Sequence, residues 1–144
     1  MTDYHEIVYI TEKYNALIPM KDKVCEIVSQ SKIKNGVVYV ITKHTTTGIT
    51  VNEKLECLED DILGYLGREF PEDGFYYHAR FLDSYGAMAG NPTSHMKAMI
   101  TGSHCVFPVL NHQVILGNAQ EIYLAEYDGP QKRTVSVIIM GDQE

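Results

Sequence analysis

The sequence predicts an α+β protein built on a curved, mostly antiparallel β-sheet, sandwich- or barrel-like, carrying about three helices. Three observations point there. β-Branched and aromatic residues gather in many short segments, three other stretches repeat their apolar residues at helical spacing, and the two kinds do not alternate as parallel βαβ units would.

Taken in order, Tyr4 to Glu12 alternates well enough for a first strand, with Ile7, Tyr9 or their neighbours facing inward. Pro19 precedes a helix from Lys21 to Lys34, where Val24, Ile27, Val28 and Ser31 recur at helical spacing. Asn35-Gly36 then reads as its stop or as a tight turn. The β-branched run Val37 to Val51 predicts two strands with Gly48 as a bend or bulge. Leu55, Leu58, Ile62, Tyr65 and Leu66 form the apolar stripe of a second helix that ends before Pro71. Phe75 to Phe81 reads as a short extended piece, and SYGAMAG after it as a loop. Asn91-Pro92 signals a third helix start, running to about Ile100. From His104 onward, with a turn near Asn111, three or four antiparallel strands are expected.

At 144 residues the chain fits one domain, residues 1–144, large enough for a real core. With 44% hydrophobic and 22% charged residues it resembles a packed protein more than a disordered one. A net charge of −7, with scattered lysines and arginines, argues against nucleic acid as a general partner. No apolar run reaches bilayer length, so no membrane is expected, and the charged, alternating start MTDYHEIVYI is unlike a signal peptide. The expected location is the cytoplasm. Cys25, Cys57 and Cys105 form no CxxC pair and read as structural thiols; alternation sends His104 and Cys105 to opposite faces.

Chemistry concentrates in two places. In His44-Thr45-Thr46-Thr47-Gly48, at a strand end, period-two geometry would put His44 and Thr46 on one face, pairing an imidazole with hydroxyls suited to phosphate or carboxylate oxygens. In Asn91-Pro-Thr-Ser-His95, a capped helix start would offer free N–H groups to an anion, with His95 in the first turn and Lys97 nearby. The plain alternatives are β-propensity with one exposed histidine, and an ordinary cap. His78, in YYHAR, suits an anion pocket or a solvent-facing strand equally well. His44, His78 and His95 lack local zinc spacing, so any metal site must be assembled by folding. Glu53, after Asn52, and Glu126 are the candidate carboxylates, whereas Asp128 reads as a turn former.

HTTTGITVNE, YYH, NPTSHMKAMITGS and VILGNAQEIYLAEYDGP occur in the order and approximate spacing of the YjbQ-like family of secondary thiamine-phosphate synthases, which the chain resembles from Lys43 onward. The resemblance implies a YjbQ-like α+β fold assembled as a homotrimer. It implies a site lined by His44, His78 and His95, with Asn52, Glu53, Gln120 and Glu126 close by. Two departures stand out: Thr93 where the family commonly has an acidic residue, and Gly117-Asn118-Ala119-Gln120 in place of a GTWQ-like block. The implied activity is a transferase that joins a pyrimidine pyrophosphate to a thiazole phosphate and releases pyrophosphate, as a main or a side reaction.

The reading is therefore an enzyme acting on a small phosphorylated molecule. His44, His78 and His95 would serve as ligands of a divalent metal, zinc or magnesium, or as acid/base groups beside Glu53 and Glu126. Thr45, Thr46, Asn52, Asn91 and Gln120 would hold the substrate. A non-catalytic metal- or metabolite-binding module and a metal-dependent hydrolase are the competing readings.

Overall fold

A computed structural model describes residues 1–77 and 91–144. The elements in chain order are β1 (Thr2–Ile10), β2 (Ala16–Pro19), α1 (Lys21–Gln30), β3 (Asn35–Thr42), β4 (Thr47–Glu53) and α2 (Glu56–Glu69). They continue as α3 (Pro92–Thr101), β5 (His104–Leu110), β6 (Gln113–Val114), β7 (Gln120–Glu126) and β8 (Lys132–Asp142). The strands form a five-stranded sheet in the order β1-β8-β3-β5-β6 and a three-stranded sheet in the order β2-β7-β4, and every pairing is antiparallel.

Alternation builds the core between the two sheets. Val135, Val137 and Ile139 of β8, Val38 and Val40 of β3, and Phe107 and Val109 of β5 face Ile49 of β4 and Ile122 and Leu124 of β7. Met20, Val24 and Val28 at the start and along one face of α1 join the same cluster. Each fully buried aliphatic side chain contributes about 1.5–3 kcal/mol. The three-stranded sheet is covered on its other side too. There Tyr123, Ala125 and Tyr127 pack with Leu66 of α2 and Ala98 of α3. β7 is consequently buried from Glu121 to Glu126, with the apolar run Ile122–Ala125 at its centre.

The α+β class and the antiparallel pairing match the sequence reading, as do β1, α2, α3 and the four strands after His104. Several boundaries differ. Pro19 closes a short strand, β2, because Ala16 to Pro19 pair with Tyr123 to Glu126. α1 stops at Gln30, with Ser31 already extended. Its first N–H, on Lys21, is met by the Glu121 carboxylate at 2.8 Å, a cap delivered by another strand. Asn35-Gly36 is not a stop but the first pair of β3. Gly36 lies opposite Gly141 so closely that a Cβ would collide with the Met140 carbonyl. The break in Val37–Val51 falls at residues 43–46 instead of Gly48, and the two strands it separates belong to different sheets. The turn near Asn111 is a two-residue hairpin, with Asn111 (φ 53°) and His112 (φ 63°) in the left-handed region. The extended piece around His78 and the SYGAMAG loop lie largely or wholly outside the described residues.

Candidate functional site

The chain crosses from one sheet to the other through Lys43–Thr46, and this crossing is tied down on both sides. Thr42 and Thr47 share a hydroxyl–hydroxyl bond across its base, and the His44 N–H donates to Thr42 Oγ1 at 3.3 Å. The Lys43 N–H donates to the Thr134 carbonyl at 3.3 Å. Thr134 N–H in turn donates to His44 Nε2 at 2.9 Å. The imidazole thus takes the place of the next strand partner just past Thr42–Val135, the last residue pair of the β3–β8 ladder.

Beneath the crossing lies a buried ion pair. Arg133 grips Glu126 with Nε to Oε1 at 2.8 Å and Nη2 to Oε2 at 2.6 Å, and its Nη2 also donates to Thr46 Oγ1 at 2.8 Å. Thr11 Oγ1 donates to Glu126 Oε1 at 2.6 Å and the Asp128 N–H to Oε2 at 3.0 Å. Glu126 is 0% exposed and Arg133 2%, so each depends wholly on these partners.

α3 forms the opposite wall. Ser94 Oγ donates to the Tyr127 carbonyl at 2.6 Å, Thr101 bonds the Tyr127 hydroxyl, and the Ile49 N–H donates to the Gly102 carbonyl at 3.0 Å. Gly48 permits this approach, because a Cβ there would fall 2.6 Å from Thr101 Cγ2. Between crossing and helix opens a cavity of about 430 Å³, lined by His44, Thr45, Thr47, His95, Ala98, Met99, Gly102 and Ser103.

Burial pushes the His44 pKa down, the nearby Arg133 charge pushes the same way, and Glu126 only partly opposes them. A ring whose Nε2 accepts an N–H must be unprotonated at that atom, so neutral His44 carries its proton on Nδ1. No other described protein group is seen bonding that nitrogen.

The structure brings His44, Thr45 and His95 to one cavity. Thr46 is a correction: it turns away from His44 to Arg133, because residues 43–46 are a loop, where period-two alternation does not apply. Asn91 is another. It makes no side-chain cap, its Nδ2 donates to Asp128 at 2.8 Å, and the cavity runs along α3 toward Gly102, not over the helix start. Glu126 lies one layer below the cavity, its carboxylate filled by four donors. Asn52 lines a separate groove with Asp61, Tyr65 and Tyr127, and Glu53 is exposed at the far end of β4. Gln120 folds back, its Oε1 accepting the Gly117 N–H at 2.7 Å. His78 lies outside the described residues. Thr93 is buried and donates to Glu72 Oε1 at 2.9 Å, so a carboxylate from another segment stands beside it.

Arg133, Thr134 and Ser103 were missed. One signal was present: in KRTVSVII, Arg133 shares the parity of Val135 and Val137, which puts a charge on an inward face. As for a divalent metal, His44 does not fit as a ligand. Coordination through Nδ1 would require the neutral ring to protonate Nε2, the atom that accepts the Thr134 N–H. Among the described residues no three His, Cys, Asp or Glu side chains group to hold an ion.

The comparisons agree with this architecture. The family model described as UPF0047 protein YjbQ-like matches residues 5–142. A UPF0047 protein of Archaeoglobus fulgidus is 36% identical over 132 residues, covering 92% of this chain and 97% of the relative. One from Methanocaldococcus jannaschii is 30% identical over 134 residues, covering 92% and 91%. The crystal structure of a YbjQ-like protein of unknown function from Sulfolobus solfataricus superposes with a TM-score of 0.90 at 30% identity, covering 99% of each chain. A Clostridium acetobutylicum protein of the YjbQ/UPF0047 family gives 0.84 at 34% identity, covering 94% of this chain and 99% of that one. With a family model spanning nearly its whole length, this chain belongs to the YjbQ-like UPF0047 family.

Proposed function

We propose that the protein is an enzyme acting on a small phosphorylated substrate in the cavity between the Lys43–Thr46 crossing and α3. The observation that carries this reading is the pairing of His44 and His95 in one cavity whose other polar lining is largely hydroxyl-bearing: Thr45, Thr47 and Ser103. Hydroxyls and an imidazole N–H suit phosphoryl oxygens, and an imidazole can both give and take a proton. In the finer form of the proposal, a thiazole phosphate attacks a pyrimidine pyrophosphate and pyrophosphate leaves. Donors aimed at the departing oxygens would supply most of the catalysis. His44, neutral and pinned, would donate a hydrogen bond to such an oxygen, and His95 would pass a proton to the leaving pyrophosphate. No step is assigned to a divalent cation, because His44 does not fit one.

The test is turnover. His95→Ala should lower the rate of pyrophosphate or phosphate release from a panel of phosphorylated pyrimidines and thiazoles by about 100-fold or more, with the fold unchanged by circular dichroism. An unaltered rate counts against His95. The second reading, a non-catalytic metabolite-binding module, is favoured by one fact: none of the described residues lining the cavity is a carboxylate. Calorimetric binding of those same compounds without turnover would select it.

We also propose assembly as a homotrimer through the outer face of the five-stranded sheet. There Tyr4, Ile138, Tyr39 and Val106 lie in one cross-strand row, with Tyr4 51% and Val106 49% exposed.

A further inference from the structure

His44 is the point where the crossing is stitched to β8, and the stitch decides its chemistry. The Thr134 N–H would be an orphan donor at the end of the β3–β8 ladder if the imidazole did not accept it at 2.9 Å. The Nε2–H tautomer would set two donors against each other, forfeiting that hydrogen bond and leaving the Thr134 N–H stranded. The neighbouring residue, Arg133, is locked in turn by two bonds to Glu126 and one to Thr46. The segment Arg133–Thr134 therefore holds both Thr46 and His44, and neither can swing without breaking a bond to it.

We infer that His44 acts as a fixed Nδ1–H hydrogen-bond donor to an anionic oxygen of the ligand, and neither as a metal ligand nor as the base of the site. The inference rests on the cavity proposed above as the working site and specifies the ligand atom that His44 meets: a phosphate or carboxylate oxygen. Lowering of the ring's pKa by burial and by Arg133 supports the same role, since a neutral ring keeps the single donor and spares the cavity a second buried cation beside Arg133. Arg133 is then a positioning residue that acts through Thr46 and the adjoining Thr134 backbone.

The experiment is ¹⁵N NMR of the histidine-labelled full chain, with the His44 signals assigned by their loss in His44→Asn, followed by titration with inorganic phosphate and, separately, with zinc. Nδ1 protonated and Nε2 bare is expected in the free protein, with phosphate moving the Nδ1 signal while the tautomer persists. His44→Asn, whose amide nitrogen mimics Nδ1–H, should keep phosphate affinity within a few-fold, whereas His44→Ala should weaken it by about tenfold or more. An Nε2–H tautomer, an Nδ1 signal indifferent to phosphate, or zinc binding that shifts His44 would each overturn the inference. The outcomes separate cleanly from those of the turnover assay: a correct tautomer with phosphate contact but no turnover would sink the enzyme reading and leave this one standing.

Discussion

At the scale of single residues, the buried Glu126–Arg133 pair illustrates how the same side chain can be read two ways. By sequence Glu126 is a carboxylate at a strand end, available for catalysis; in the fold its four acceptor positions are filled and its solvent exposure is nil. Glu126→Gln should cost about 3–5 kcal/mol in urea denaturation, because Arg133 would stay buried without a counter-charge. Burial by itself raises the Glu126 pKa, but the bonds from Arg133, Thr11 and Asp128 together outweigh it and hold the group below its usual 4.5. A carboxyl with a depressed folded-state pKa stabilises the fold above the unfolded value and loses that contribution as pH falls through the folded one. The wild-type protein should therefore shed stability as the pH drops below about 4.5, and Glu126→Gln should flatten that part of the profile. A variant as acid-sensitive as the wild type would show that other carboxyls govern the acid limb.

Among elements, α3 and β4 make the cavity by touching closely at one place. Gly48 lies under Thr101 and the Gly102 carbonyl, with room for hydrogen and nothing larger. Gly48→Ala should push the C-terminal end of α3 away from β4, cost about 1–3 kcal/mol, and weaken phosphate binding while leaving the His44–Thr134 bond in place. Unchanged stability and affinity would mean that the helix yields freely and that the contact does not shape the site. The glycine was legible in the sequence, but its role was not. Inside a β-branched run a glycine reads as a bend, and only the packing of a helix 50 residues later shows that the requirement is clearance. Asn91 makes the complementary case. The Asn-Pro dipeptide marked the start of α3 correctly, yet its amide went to Asp128, a residue no local rule connects to it.

For the molecule as a whole, the outer face of the five-stranded sheet leaves Tyr4, Val106, Leu110 and Met140 between 44% and 53% exposed. That apolar area is the support for the proposed homotrimer. Sedimentation should give about three times the 16.3 kDa chain mass, and Val106→Lys should shift the distribution toward monomer with the fold intact. A monomer at micromolar concentration would remove the assembly from consideration. What sequence alone determined is the class of fold, most element positions and the candidacy of His44 and His95, because alternation, helical periodicity and capping signals are local. What only the tertiary structure decided is which candidates meet. The cavity joins a loop to a helix about 50 residues away, and β8, almost 90 residues beyond His44, supplies the backbone N–H that sets the protonation of that ring. Long-range pairing leaves no trace in local pattern, and the physical reason is that a strand's hydrogen-bonding edge is the same for every partner until the chain has folded.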